Sequence, residues 1–214
     1  MTDLITRISD TALIPVVKID KAEDALPLAN ALKTGGLYAA EITFRTDAAE
    51  ESIRAIAKKH PDMLIAAGTV LTTEQADSAI WAGAQFIVSP GLNPVVVKHC
   101  INKGYTILPG VSTPSEVEQA MSFGLTYLKF FPAEAAGGIK MIKAMSAPYT
   151  GVRFMPTGGI NTANLADYLN CKAVFACGGS WMVPSEKILA GRFDEIEKLT
   201  AEAVTLIRKI RSAQ

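Results

Sequence analysis

A lysine lies in the middle of a segment that otherwise has the composition of a buried strand. The segment from Tyr127 to Glu134 reads YLKFFPAE, with Lys129 as its basic residue. Lysine is among the residue types least often fully buried, because removing an ammonium from water costs much free energy. We expect Phe130 and Phe131 to flank the amine, and burial in such an apolar wall favours the neutral amine over the ammonium. A neutral amine is a nucleophile that forms a Schiff base with a ketone, and we expect this chemistry of Lys129.

A second charged set follows strand periodicity in the segment YAAEITF and the arginine after it. Glu41, Thr43 and Arg45 have the same parity, so they point to one face of a strand. If that face is the inside of a barrel, Glu41 can meet Lys129 from the opposite wall and carry protons, and Arg45 adds a positive charge that also favours a neutral amine. A buried lysine–glutamate pair can also be purely structural. Its position near the carboxyl ends of two strands favours the catalytic interpretation.

Two glycine turns indicate an anion site. PTGGIN (156–161) and CGGSW (177–181) each follow an apolar run. In parallel α/β barrels, the loops after the last two strands often bind phosphate through backbone N–H groups. One GG pair alone predicts only a tight turn. Two pairs at these two loops, with a serine hydroxyl beside the second, favour a phosphate cradle made of Gly158, Gly159, Gly178, Gly179 and Ser180.

The elements that would position these groups repeat with one period. Eight short apolar runs start at intervals of roughly 20–26 residues: 13–19, 38–44, 64–70, 86–90, 106–111, 127–132, 153–159 and 173–179. Amphipathic helical patterns lie between them, for example over 21–36, 47–60, 73–84 and 113–124, the last beginning with a capping box of Thr113 and Glu116. This alternation predicts an α/β fold, a (β/α)8 TIM barrel, as a single domain over residues 1–214. We also expect a short helix over residues 1–12 and a last helix over 193–210.

An open, doubly wound sheet is the alternative architecture, but no glycine-rich dinucleotide fingerprint follows the first strand. Lys+Arg and Asp+Glu both number 21, so no basic surface for nucleic acid is expected. No segment is apolar over the roughly 18 residues that a membrane span needs. The three cysteines have neither CxxC nor zinc spacing, and the N-terminus lacks a signal-peptide pattern. A cytoplasmic protein without metal or cofactor is therefore expected.

Seven motifs together resemble one family. EITFRT (41–46), AGTVL (67–71), SPGL (89–92), PGVST (109–113), KFFPAE (129–134), PTGGI (156–160) and GGSW (178–181) occur in order. The chain is similar over most of its length to bacterial 2-keto-3-deoxy-6-phosphogluconate (KDPG) aldolases, which also act on 4-hydroxy-2-oxoglutarate (KHG). The combination is specific, although PTGG or SPG alone would not be.

The resemblance implies a function for each candidate residue. Lys129 would form the Schiff base and Glu41 would be the general acid/base, while Arg45 and Thr69 would hold the carboxylate end. Pro90 and Phe131 would shape the wall around the pyruvoyl part, Thr157 would lie close to the substrate chain, and the glycine turns with Ser180 would hold the phosphate. The products would be pyruvate and glyceraldehyde 3-phosphate, as in the Entner–Doudoroff route, and the assembly would be a metal-free homotrimer.

Two other functions remain open from the residues alone. A phosphate-binding barrel isomerase or epimerase would use Glu41 to abstract a proton and Lys129 as an electrostatic clamp. A non-enzymatic barrel that binds a sugar phosphate is a third candidate. An amine adduct formed with pyruvate and a hydride donor would separate the aldolase from both.

Overall fold

The computed structural model describes residues 2–213 and consists of parallel strands that alternate with helices. The strands are β1 (Leu13–Val17), β2 (Ala39–Thr43), β3 (Leu64–Gly68), β4 (Phe86–Val88), β5 (Ile107–Leu108), β6 (Gly110–Val111), β7 (Tyr127–Phe130), β8 (Arg153–Pro156) and β9 (Cys177–Gly179). Each predicted apolar run contains at least one of these strands.

The helices occupy the predicted intervals. They are α1 (Thr2–Thr11), α2 (Ala25–Thr34), α3 (Ala49–Lys59), α4 (Thr73–Ala82), α5 (Pro94–Lys103), α6 (Pro114–Ser122), α7 (Gly138–Ser146), α8 (Leu165–Leu169), α9 (Ser185–Leu189) and α10 (Phe193–Ser212), and a 3-10 turn (Ala22–Asp24) precedes α2. The capping box of Thr113 and Glu116 is present at the start of α6. The first and last helices are confirmed within the described residues, whereas Met1 and Gln214 lie outside them.

The strands form two parallel sheets. The larger has the order β5-β4-β3-β2-β1-β9 and the smaller has the order β6-β7-β8. The prediction of parallel α/β architecture is confirmed. The prediction of one closed eight-stranded barrel is confirmed only in part, because the strands form an open, curled arrangement. Pro109 divides the fifth predicted strand into β5 and β6, and proline has no N–H to donate to a ladder. Between β8 and the last segment only two isolated bridges occur, Phe154 with Val174 and Thr157 with Gly178.

The curl of the sheet is visible in its two cores. Side chains such as Ala40 and Ile42 pack with the helices in the larger core. Neighbouring residues of opposite parity, such as Ala39 and Ala66, form a separate inner core with side chains from other strands. Ile5 and Ile8 of α1 belong to this inner core, so the N-terminal helix packs against side chains of the concave side. The strand alternation used to orient Glu41 is therefore confirmed on β2.

Candidate active site

A cavity of about 290 Å³ lies at the carboxyl ends of the strands. It is lined by all of the candidate residues: Glu41, Arg45, Thr69, Pro90, Lys129, Phe131, Thr157, Gly158, Gly159, Gly178, Gly179 and Ser180. Val16, Thr43 and Ile160 also line it but were not predicted as site residues. The parity of Thr43 with Glu41 was a usable signal, whereas nothing in the composition around Val16 or Ile160 distinguishes them from core residues.

Lys129 and Glu41 meet in the floor of this cavity. The Nζ atom of Lys129 lies 3.4 Å from Oε1 of Glu41, and the two side chains are 5% and 0% exposed. Residue 129 lies on β7 and residue 41 on β2, in different sheets, so the contact joins opposite sides of the curled structure. This separation is slightly longer than the roughly 2.6–3.2 Å at which proton transfer occurs, so a small approach of the two side chains would bring the amine within reach of the carboxylate.

Two buried polar atoms at the site lack protein partners. Within residues 2–213, neither Oε2 of Glu41 nor Oγ1 of Thr157 makes a hydrogen bond. Leaving a buried donor or acceptor unpaired costs about 1–3 kcal/mol, and such atoms are rare in native structures. Both residues line the cavity. A polar ligand with hydroxyl or carbonyl groups would satisfy them.

The aromatic surroundings of the amine differ in part from the prediction. The ring centroid of Phe131 lies 5.1 Å from Nζ of Lys129. Phe130, which was expected to flank the amine on the other side, instead packs in the helix-facing core, with its ring centroid 6.3 Å from that of Phe154. Adjacent residues of a strand point to opposite faces, so only Phe131 can share the face of Lys129. Lys18, the other amine near a strand end, pairs with Asp20 at 2.5 Å.

A hydroxyl orients the arginine of the site. Oγ1 of Thr43 donates a hydrogen bond to the carbonyl of Val17 at 2.8 Å and accepts one from Nε of Arg45 at 3.2 Å. The side chain of Thr43 is buried, whereas Arg45 is exposed. Within residues 2–213, this hydrogen bond of Arg45 uses Nε, so the terminal nitrogens of the guanidinium can donate to an anion.

Thr69 has an unusual backbone conformation. Its φ is +56°, and a β-branched residue in this region is strained by on the order of 1–3 kcal/mol. The residue follows β3 and lines the cavity. Strain of this kind persists where the surrounding structure holds it and concentrates at binding sites, so its location agrees with a ligand contact at Thr69.

The two glycine turns lie side by side, as the bridge between Thr157 and Gly178 shows. Gly158 and Gly159 have φ values of +99° and +83°, a backbone conformation that residues other than glycine rarely adopt. A Cβ atom at Gly178 would lie 2.4 Å from Oγ1 of Thr157. Ser180 follows the second turn; it is exposed, and it lines the same cavity. Glycine is therefore required both for the path of the first turn and for the close approach of the second.

Gly68 provides the space for the Glu41 carboxylate. A Cβ atom at Gly68 would lie 2.2 Å from Oε1 of Glu41. We expect Gly68→Ala to displace the carboxylate from Lys129 and to lower turnover by about 10²-fold, the smaller end of what a general acid/base contributes. Steady-state kinetics of the purified variant measure this. Gly91→Ala is the matched control, because a Cβ at Gly91 meets nothing within 4 Å; equal losses in both variants would contradict the expectation.

Within residues 2–213, no group of three or more His, Cys, Asp or Glu side chains could hold a metal ion. No helix in the same range is long and apolar enough to cross a bilayer.

The fold and the site together define a class of protein. A curled parallel sheet with a buried amine and carboxylate at the carboxyl ends of its strands is typical of an α/β enzyme, with its site on the usual face of such folds. The groups that line it include one amine, one carboxylate, one guanidinium, the hydroxyls of threonine and serine side chains, and two glycine turns.

Comparison with known families makes this class specific. The family model described as "KDPG and KHG aldolase" matches residues 4–199. The chain belongs to this aldolase family, whose members are lyases. The resemblance that the seven motifs carry is thereby confirmed.

Individual relatives are similar over nearly their whole length. The 2-dehydro-3-deoxy-phosphogluconate aldolase of Treponema pallidum is 52% identical over 91% of this chain and 93% of its own. The KHG/KDPG aldolase of Escherichia coli K12 is 47% identical over 90% of each chain. A crystal structure of KDPG aldolase from Legionella pneumophila superposes with a TM-score of 0.89 at 40% identity, covering 93% of this chain and 97% of that one. That structure contains pyruvate captured as a covalent carbinolamine intermediate.

Proposed function

We propose that this protein is a class I aldolase that cleaves KDPG to pyruvate and glyceraldehyde 3-phosphate, and KHG to pyruvate and glyoxylate. The observation that carries the proposal is the buried contact between the amine of Lys129 and the carboxylate of Glu41 in a cavity that ends in two glycine turns. The carbinolamine in the Legionella relative supports covalent chemistry at a site of this kind.

The first half of the reaction forms the covalent bond. The neutral amine of Lys129 attacks the C2 ketone of the substrate to give a carbinolamine, which loses water to become an iminium. Glu41 is placed to take the proton from the amine and to return one to the departing hydroxyl. Its unpartnered Oε2 atom is free to contact that hydroxyl while Oε1 faces the amine.

The second half breaks the carbon–carbon bond. Glu41 accepts the proton of the C4 hydroxyl, the C3–C4 bond breaks, and its electron pair moves into the iminium to give an enamine. The aldehyde departs, C3 of the enamine is protonated, and water hydrolyses the resulting iminium to pyruvate and free Lys129. A cationic imine is the electron sink that makes the bond cleavage possible.

The two ends of the substrate have separate contacts in this proposal. Arg45 and Thr69 hold the carboxylate next to C2, with Pro90 and Phe131 as the wall around the pyruvoyl group. Thr157 contacts the substrate chain, and its unpartnered hydroxyl supports that assignment. The phosphate lies between the turns, with Gly158, Gly159, Gly178, Gly179 and Ser180 as donors.

Ser180→Ala separates the phosphate contact from the rest of the site. We expect KM for KDPG to rise roughly tenfold, because a hydrogen bond to a charged group is lost, while KM for KHG, which has no phosphate, changes less than twofold. Parallel steady-state assays with the two substrates provide the measurement. Ser185→Ala, at the start of α9 and outside the cavity lining, is the control. A similar rise for both substrates would exclude a phosphate contact at Ser180.

Four broader features belong to the same proposal: the domain organisation, the closure of the barrel, the assembly and the location in the cell. We infer that residues 1–214 form one domain and that the two sheets are parts of one closed eight-stranded barrel, which the bridges of Phe154 and Thr157 support.

A homotrimer in the cytoplasm is proposed from the family resemblance. Light scattering should give three times the 22.8 kDa of one chain.

The decisive assay measures both products. Purified protein incubated with KDPG should release pyruvate and glyceraldehyde 3-phosphate in equal amounts, each detected by its own dehydrogenase. An isomerase or epimerase would convert the sugar acid without changing the number of carbon atoms and would release neither product. The ratio of kcat/KM for KDPG to that for KHG then identifies the preferred substrate.

A further inference from the structure

The turn after β8 is held by backbone contacts with Ala133 and Glu134, which do not line the cavity. The carbonyl of Thr157 accepts a hydrogen bond from the N–H of Ala133 at 2.8 Å, and the carbonyl of Gly158 accepts one from the N–H of Glu134 at 3.1 Å. Both donors belong to the segment that follows β7. The carbonyl and the following N–H of a trans peptide point in opposite directions. Because these carbonyls bond to residues outside the cavity lining, the next N–H groups of the turn, those of Gly158 and Gly159, point away from Ala133 and Glu134 and towards the cavity that both glycines line.

The next carbonyl of the turn is held by side chains. Nδ2 of Asn161 donates to the carbonyl of Gly159 at 3.1 Å, and Nδ2 of Asn164 donates to the same oxygen at 3.0 Å. These two amides fix the peptide between Gly159 and Ile160. No acceptor for the N–H of Ile160 is found among residues 2–213, although Ile160 lines the cavity. An anion in the cavity would supply that acceptor.

Asn164 uses its side chain on the turn and not on its own helix. It is the N-cap residue of α8, and asparagine is a preferred N-cap type, but it makes no capping hydrogen bond. Its Oδ1 atom instead accepts from the N–H of Asn161 at 2.8 Å. The missing cap costs α8 about 1 kcal/mol, so holding the turn is the evident use of both polar atoms of this amide.

Asn161 completes the arrangement. Its Oδ1 atom accepts from the N–H of Ala163 at 2.8 Å, which leaves Nδ2 directed at Gly159. The two side-chain amides and the backbone between them thus form a closed set of hydrogen bonds around one carbonyl. Neither amide is among the residues that line the cavity, so both act on a ligand only through the peptide they hold.

We propose that Asn161 and Asn164 are positioning residues that hold the Gly159–Ile160 peptide with its N–H directed at the phosphate of the substrate. This inference rests on the proposed function, since it requires a phosphate between the glycine turns. A phosphate oxygen is a strong acceptor for backbone N–H groups of such a turn. The pair would thereby increase affinity for phosphorylated substrates without contacting them.

Asn164→Ala tests the proposal, with KM and kcat measured for KDPG and for KHG. We expect KM for KDPG to rise roughly tenfold, the effect of a misdirected hydrogen bond to a charged group. We expect kcat on both substrates and KM for KHG to stay within twofold of the original values. Inhibition of KHG cleavage by inorganic phosphate should weaken by a similar factor.

Asn164→Asp refines the test, because it keeps the Oδ1 acceptor and the side-chain shape but loses the Nδ2 donor. It also adds a negative charge, and Thr162→Asp adds the same charge at an exposed position of the same turn. A rise in KM for KDPG that is clearly larger for Asn164→Asp than for Thr162→Asp supports the proposal. Equal rises in these two variants would overturn it.

The outcomes also separate this inference from the proposed function. If the unmodified protein cleaves KDPG and Asn164→Ala behaves like it, only the positioning role fails. If Asn164→Ala raises KM equally for both substrates, the pair maintains the site in general and the proposal is likewise overturned. If the unmodified protein releases no pyruvate from KDPG, the proposed function itself fails.

Discussion

Lys129→Met is expected to lower the cleavage of KDPG and of KHG by at least about 10⁴-fold. Methionine fills a similar volume but cannot form an imine, so the electron sink for the broken bond is lost. The remaining carboxylate can supply only general acid/base catalysis, which contributes roughly 10²–10⁴-fold. Pyruvate release measured by a coupled assay at high enzyme concentration gives the residual rate.

Two further variants keep this prediction testable. Removing one member of a buried ion pair can destabilise a protein by about 3–5 kcal/mol, so Lys129→Met combined with Glu41→Gln provides a neutral site whose melting temperature reports on folding. Lys129→Arg keeps the positive charge without a nucleophilic amine. Substantial activity in Lys129→Arg would favour an electrostatic clamp and would contradict the covalent role.

Glu41→Gln is expected to retain imine formation while turnover falls by roughly 10²–10⁴-fold. The amide keeps the size of the carboxylate and can still contact the amine through its oxygen, but it cannot accept the proton of the C4 hydroxyl. Intact-protein mass spectrometry after hydride reduction measures the adduct, and single-turnover experiments measure aldehyde release. We expect the adduct to form more slowly than in the unmodified protein but to reach the same occupancy.

The result for Glu41→Gln separates two functions of the carboxylate. If turnover remained at the original rate, Glu41 would not carry protons in the reaction. If the adduct itself failed to form, the carboxylate would be required for the attack on the ketone and not only for the later bond cleavage. A matched control is Glu118→Gln, a surface carboxylate that accepts a hydrogen bond from Tyr149 and should leave both measurements unchanged.

The positions of the elements were predictable from the sequence because each strand is a short apolar run bounded by glycine, proline or polar residues. The interruption of the sheet at Pro109 was not predicted, since residues 106–111 were expected to form one strand. A Cβ atom at the adjacent Gly110 would lie 2.1 Å from the carbonyl oxygen of Pro90, and no local pattern indicates that approach. The last strand also proved shorter than its apolar run, beginning only at Cys177.

The candidate site was predictable where strand parity decided it. Glu41 and Lys129 meet as the alternation of side chains requires. The orientation of Phe130 follows from the same rule: its ring packs against Phe154 on the helix-facing side, so of the two phenylalanines expected to flank the amine only Phe131 does so. The positive φ of Thr69 and the amide contacts at Gly159 depend on tertiary structure. The presence of a threonine or an asparagine at these positions does not predict either feature.

The most direct test of the central claim is a trapping experiment on the active protein. Incubation with pyruvate and sodium borohydride should inactivate it irreversibly, and peptide mass spectrometry should find a reduced pyruvate adduct on Lys129. Borohydride without pyruvate should leave mass and activity unchanged. An active sample that gains no adduct at Lys129, or gains it at Lys18 instead, would contradict the account.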